Sequence, residues 1–123
     1  MLKGIGCDII EVARIEASIA RSGQPFLDKV FTEQEQAYCS RFKDSWRRYA
    51  GRFAAKESVV KAFKTGFGEH FSWKDIEIGN DENGAPFVVI CPKLKAFLGQ
   101  GSIHISISHD HNYATAMAVW ENV

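Results

Sequence analysis

The chain has 123 residues, 46% hydrophobic and 24% charged, with fifteen basic and fifteen acidic side chains. That length and composition describe one folded domain with a real hydrophobic core and exclude a disordered chain. The balanced charge gives no sign of a nucleic-acid footprint, and no apolar run approaches the ~20 residues of a membrane-spanning helix.

In chain order, Leu2, Ile5, Ile9 and Ile10 around Gly4 and Gly6 predict a strand over 2–10. "EVARIEASIARSG" then places apolar residues at 12, 15 and 19, a helical spacing closed by Gly23 and Pro25. "PFLDKVF" is worth one or two turns. "TEQEQAYCSRF" opens on Thr32 with Glu35 three places later, the capping-box signature of another helix. The longest helical pattern covers 46–64 and is ended by the glycines of "TGFGEHF". Beyond it, "WKDIEIGNDENGAPFVVICP" predicts two short strands around a turn, and "LKAFL" a short helix. "SIHISISHDHNYATAMAVW" gives two strands joined tightly, the first with Ile103, Ile105 and Ile107 on one face and His104, Ser106 and Ser108 on the other. Helices cluster early and antiparallel strands late, so the expected class is α+β in a single domain over 1–123. The N-terminus lacks the small-residue cleavage site of a secretory signal. With three widely spaced cysteines, Cys7, Cys39 and Cys91, this points to reduced thiols in a cytoplasmic protein.

Several polar residues stand where apolar ones would be expected. Asp8 interrupts an apolar strand, where it either caps the next helix or serves chemistry. In "GRFAAKESVVKAF" (51–63), Glu57 and Lys61 lie four apart on one helix face among Val and Phe. Asp8 and Glu57 together would offer two hard oxygen ligands suited to Mg²⁺, with water and phosphate oxygens completing the shell. A neighbouring lysine would neutralise further phosphate charge. At ~100° per residue, Arg48 and Arg52 share a face but lie roughly 140–180° around the helix from Glu57. Either those arginines reach a remote part of a long ligand, or a second copy of the chain supplies them; otherwise they are a solvated basic face. We favour the second copy. In "HISISHDHN" the histidines lack a cysteine partner and fall on different faces, which disfavours a transition-metal site. A row of hydroxyls ending in a histidine, Ser108 with His109, suits hydrogen bonding to phosphate oxygens; the alternative is an edge strand with a polar face.

Three segments taken together, "GIGCDIIEVARIE" (4–16), "GRFAAKESVVKAF" (51–63) and "ISISHDHNYATAMAV" (105–119), closely resemble holo-(acyl-carrier-protein) synthases, the short single-domain type of 4′-phosphopantetheinyl transferase. "FTEQEQAYC" (31–39) is similar to that family's second helix entry. The resemblance covers nearly the whole chain in order. It implies transfer of the phosphopantetheine arm of coenzyme A to a serine of apo-acyl carrier protein, with adenosine 3′,5′-bisphosphate as the other product, in fatty acid biosynthesis. It implies Mg²⁺ held by Asp8 and Glu57, phosphate contact and help with proton movement from Lys61, and a family histidine at His109. It also implies Arg52 near the coenzyme's 3′-phosphate, carrier-protein contact at Arg14, and a cytoplasmic homotrimer with sites between subunits. Neither nucleic acid nor membrane is an expected partner. Glu57 is the first candidate for accepting the serine proton, ahead of Glu35 or water. Asp110 and His111 depart from the small or hydroxyl residues common after the family histidine.

Overall fold

A computed structural model of the chain describes residues 1–65 and 71–122. Strand β1 (Leu2–Glu11) runs directly into helix α1 (Val12–Ser22), which ends at Gly23 with φ 63°, a left-handed turn that glycine makes without a Cβ penalty. Helix α2 (Gln24–Val30) follows, with Pro25 in its first turn. Helix α3 (Glu33–Ser40) opens on the capping box: the Glu35 amide donates to Thr32 Oγ1 at 3.2 Å, and the Thr32 amide donates to Glu35 Oε1 at 2.8 Å. Then come the long helix α4 (Ser45–Ala62), a 3-10 turn (Trp73–Asp75), the hairpin β2 (Ile76–Asn80) and β3 (Pro86–Ile90), helix α5 (Pro92–Leu98), and the hairpin β4 (Ser102–His109) and β5 (Tyr113–Glu121). The strands form a three-stranded antiparallel sheet in the order β1-β5-β4 and a separate β2-β3 pair. The class is α+β, as the order of elements predicted.

α4 stops short of the predicted end. Lys64 adopts φ 63°, with its amide donating to Lys61 O at 2.9 Å and the Thr65 amide to Val60 O at 3.0 Å. This is a Schellman turn built with lysine where glycine is usual, so the helix closes before Gly66 and Gly68, which lie outside the described residues.

The sheet has two unlike faces. One carries Ala114, Ala116 and Ala118 of β5, all buried, with Ile103, Ile105 and Ile107 of β4 packed alongside, and α4 lies on it. The small β5 side chains let the helix sit low, and the Ser58 hydroxyl reaches Ala116 O at 3.0 Å. At the β1 edge the approach is closer still. A Cβ on Gly4 would stand 1.9 Å from Ala62 O, and one on Gly6 would stand 1.8 Å from Ser58 O. Only glycine fits at either place. The opposite face is open: Ile5, Ile9, Tyr113 and Met117 are 59%, 65%, 47% and 49% exposed. A second core gathers Val12, Ile15, Val30, Phe31, Cys39, Tyr49 and Ala50 where α1 to α3 meet the start of α4. Burial pushes the Cys39 thiol up to about 12, so it behaves as an apolar side chain.

Between the cores lies a buried ion pair, Lys56 Nζ to Glu35 Oε1 at 2.7 Å, with both side chains fully excluded from solvent. Lys56 also donates to Val30 O at 2.7 Å and Trp73 O at 3.1 Å, and the Ile78 amide donates to Glu35 Oε2 at 2.7 Å. Burial pushes the Lys56 ammonium's pKa down, and the Glu35 carboxylate pushes back. The pair thus ties α3, α4, the end of α2 and β2 together. Glu35, considered above as a proton acceptor, is instead enclosed in the core with both carboxylate oxygens engaged. Lys56→Met is expected to destabilise the fold by about 3–5 kcal/mol, because it leaves the Glu35 charge buried without its cation. Equilibrium urea denaturation measures this, and a loss below about 1 kcal/mol, typical of surface pairs, would contradict it.

Candidate active site

Period-two alternation puts Gly4, Gly6 and Asp8 on the helix-facing side of β1. Because the two glycines hold β1 against α4 at Ala62 and Ser58, the next same-side residue, Asp8, comes down beside Glu57 and Lys61. Lys61 Nζ lies 3.1 Å from Asp8 Oδ1 and donates to Cys7 O at 3.0 Å, while remaining half exposed. Asp8 does not cap α1, whose first residue has no side-chain cap. Thr115 Oγ1 donates to Asp8 O at 2.8 Å and fixes the backbone there. Burial raises the Glu57 pKa, the Asp8 charge raises it further, and Lys61 opposes both. The chain has therefore set two carboxylates close enough to repel, with one half-exposed lysine paired to Asp8. Such a donor set suits a hard divalent cation. Among the described residues no group of three or more His, Cys, Asp or Glu is placed to hold a metal, so water and ligand oxygens would have to supply the other positions.

A second cluster lies on the other flank of α4. A pocket of about 130 Å³ is lined by Tyr38, Arg48, Arg52, Asn80, Ile107 and His109, among others. It opens where α4 meets β4 through Gly51, whose added Cβ would stand 3.0 Å from Ile107 Cγ2 and 3.9 Å from His109 Cδ2. The Arg52 guanidinium, only 4% exposed as a residue, lies 4.1 Å from the Tyr38 ring centre, and its terminal nitrogen donates to Asn80 Oδ1. Arg48 lies 4.1 Å from the Phe42 ring centre and forms a 3.6 Å ion pair with Asp44. Three buried nitrogens around this pocket, Arg48 Nε, Arg52 Nε and His109 Nδ1, lack a hydrogen-bond partner among the described residues. Burial and then the Arg48 charge lower the His109 pKa, so the imidazole is neutral at neutral pH. A wider hollow of about 590 Å³ adjoins, lined by Tyr38, Arg41, Phe42 and the 80–84 turn.

The structure therefore groups the singled-out residues in two sets. Asp8, Glu57 and Lys61 lie at the β1 edge; Arg48, Arg52 and His109 lie at the β4 edge, two strand spacings or about 10 Å away with α4 between them. Ser108 joins neither set. It alternates with His109 and is exposed on the outer sheet face, so the expected row of hydroxyls ending in a histidine splits across the sheet. The three histidines likewise go separate ways: His104 pairs with Glu121 at 2.8 Å, and His111 Nδ1 meets Arg47 at 3.1 Å. Asp110 is a turn residue, its Oδ1 accepting from the Asn112 and Tyr113 amides at 2.8 and 2.7 Å. Arg14 is exposed on α1. Sequence reasoning missed Tyr38 and Asn80, which complete the pocket. Asn80 precedes the hairpin turn and read there only as a turn former.

The model of the 4′-phosphopantetheinyl transferase superfamily matches residues 4–118, and the chain belongs to this superfamily. It is 54% identical over 122 residues to the holo-[acyl-carrier-protein] synthase of Protochlamydia amoebophila, covering 99% of this chain and all of that one. The crystal structure of the Neisseria meningitidis holo-[acyl-carrier-protein] synthase superposes with a TM-score of 0.91 at 32% identity, covering 99% of this chain and 100% of that one. That of the Bacillus anthracis synthase, in complex with CoA (3′,5′-ADP), superposes at 0.86 with 37% identity, covering 100% and 99%.

Glu57 carries a stability cost that can be measured. Its folded-state pKa is raised, so the native state holds the proton to higher pH than the unfolded chain does, and stability falls as pH rises through that window. Glu57→Gln is expected to raise the Tm in chelator at neutral pH, with the gain vanishing below the ordinary carboxylate range. Added Mg²⁺ should raise the Tm of the parent and not of the variant; equal Mg²⁺ responses would count against a cation at Glu57.

Proposed function

We propose that this chain transfers the 4′-phosphopantetheine group of coenzyme A to a serine of an apo-acyl carrier protein, releasing adenosine 3′,5′-bisphosphate. The observation that carries the reading is the pair of clusters on α4: two repelling carboxylates with a lysine on one flank, and a pocket of unbonded cationic and imidazole nitrogens on the other. A coenzyme with a pyrophosphate at one point and a 3′-phosphate at another matches them: the first cluster would take the pyrophosphate once a bound cation and Lys61 balance the carboxylate charge, and the second would take the 3′-phosphate. Its relatives are named holo-[acyl-carrier-protein] synthase, and one of them was crystallised with CoA (3′,5′-ADP).

The reaction joins the serine oxygen to the β-phosphorus and breaks the bond from that phosphorus to the pyrophosphate bridge oxygen, which leaves on adenosine 3′,5′-bisphosphate. There is little covalent work for the protein, so its contribution is positioning and charge neutralisation. Asp8 and Glu57 are the residues that would hold Mg²⁺, and bound there it would supply Lewis-acid stabilisation of the diphosphate oxygens. Lys61, fixed by Cys7 O and Asp8, lies beside them to neutralise charge on the leaving phosphate. Glu57, directly or through a water, is the group placed to take up the serine proton. Arg48, Arg52 and His109 would hold the 3′-phosphate. His109, neutral while the pocket lacks an anion, would gain basicity beside a phosphate. Arg14 is exposed on α1, where an acidic carrier can meet it.

We further propose a homotrimer in which neighbouring copies each supply one cluster to a shared site. Two features support it. The clusters lie on opposite flanks of α4, and the outer face of the main sheet exposes Ile5, Ile9, Tyr113 and Met117, an apolar surface of the kind subunit contacts cover. No helix among the described residues is long and apolar enough to cross a membrane.

Mass spectrometry of an apo-carrier protein after incubation with coenzyme A, Mg²⁺ and the chain should show the phosphopantetheine mass gain. Glu57→Ala should abolish that gain with the fold intact, and undiminished turnover would overturn the assignment. Mixing Arg52→Ala chains with Glu57→Ala chains should restore part of the activity, since some shared sites then receive one intact cluster from each neighbour. No gain over either variant alone would mean that each subunit builds its own complete site.

A further inference from the structure

Arg52 is held in an unusual way for a buried cation. Its guanidinium carbon lies 4.1 Å from the Tyr38 ring centre, and among the described residues its hydrogen bond goes to a neutral amide oxygen, Asn80 Oδ1. Among the described residues no carboxylate pairs with it. Buried arginines usually answer to an acid, because an uncompensated buried charge is costly. Here the ring balances the cation without taking up an N–H group, so N–H donors remain for a phosphate. One of them, Nε, is buried and has no hydrogen-bond partner among the described residues. Asn80 is in turn anchored, its Nδ2 donating to Gly84 O at 3.0 Å across the β2–β3 turn. β2 itself is tied to the core by the bond from the Ile78 amide to Glu35.

We propose that Asn80 and Tyr38 are positioning residues forming a charge-neutral clamp on Arg52, which fixes its direction without cancelling its charge and so sets the preference for a coenzyme bearing a 3′-phosphate over one bearing a 3′-hydroxyl. This rests on the reading that the pocket of Arg48, Arg52 and His109 takes that phosphate. An aspartate at position 80 would hold Arg52 more firmly yet spend its charge, whereas an asparagine holds it and leaves the charge for the ligand. A role in folding alone would favour the aspartate, and a role in phosphate recognition requires the amide.

The test compares Asn80→Asp, Tyr38→Leu, Tyr38→Phe and Arg52→Ala in steady-state transfer from coenzyme A and from 3′-dephospho-coenzyme A, with Tm recorded for each. Asn80→Asp is expected to raise KM for coenzyme A on the order of tenfold, with kcat and the KM for the dephospho form within about twofold of the parent. Tyr38→Leu should shift the same ratio in the same direction, and Tyr38→Phe, which keeps the ring, should restore it. Arg52→Ala should narrow the preference between the two coenzymes at least as much as either clamp variant, with Arg48 and His109 keeping the remainder. If Arg52→Ala narrows the preference and Asn80→Asp and Tyr38→Leu leave it intact, or move both KM values together, the clamp is wrong and the pocket stands. If Arg52→Ala itself leaves the preference intact, Arg52 does not read the 3′-phosphate, and the proposal falls with it.

Discussion

The contact on which this structure depends is backbone against backbone, where β1 lies on α4 at Gly4 and Gly6. A methyl group at either position would overlap a helix carbonyl oxygen at less than 2 Å, so the strand sits lower than any side chain permits. Dispersion falls steeply with separation, so this closeness fixes the helix against the strand more firmly than side-chain packing would. The next residue facing the helix is Asp8, and its carboxylate comes to Lys61 at 3.1 Å. The pairing of a strand acid with a helix lysine fifty-three positions later follows from two missing Cβ atoms.

The charged residues of α4 then divide by direction around the helix. Lys56 points into the core and answers Glu35; Glu57 and Lys61 face β1; Arg48 and Arg52 face the second pocket. One element thus carries a structural ion pair, a carboxylate–lysine cluster and an arginine-lined pocket with no shared members. The mixture of Ala, Val and charge in "GRFAAKESVVKAF" is what a helix buried on most sides must look like when each of its faces meets a different partner. Lys56 is tolerated there because each of its three partners is held by another element: Val30 at the end of α2, Trp73 before β2, and Glu35 in its capping box.

Much of this was legible in the letters. The strand–helix order, the capping box at Thr32, the β2–β3 turn and the alternation of β4 all follow local rules of period and turn chemistry, and the structure matches them. Asp8, Glu57 and Lys61 could be singled out because each violates its surroundings. What the sequence hid depends on distance in three dimensions. Glu35 belongs to the core, since Lys56 and the Ile78 amide come to it from far along the chain. Asn80 looks like any turn asparagine until Arg52 is placed against it. The end of α4 was misplaced by two residues because Lys64 takes a left-handed turn that composition assigns to glycine. Ser108 and His109 are neighbours in the chain and opposites in space, which the same period-two rule predicts when applied one residue further.

That rule has a consequence for β1. Its helix-facing side carries Gly4, Gly6 and Asp8, and its other side carries Ile5, Cys7 and Ile9, which pair with Val119, Met117 and Thr115 across the sheet. Neither side can change phase without the other. One residue inserted or deleted between Gly4 and Asp8 would put glycines and carboxylate out of phase: either the carboxylate turns outward into the apolar surface, or an isoleucine or a thiol is driven against the helix where only hydrogen atoms fit. The strand behaves like a two-sided key whose cuts share one blank, open to substitution notch by notch but closed to any slip in reading frame.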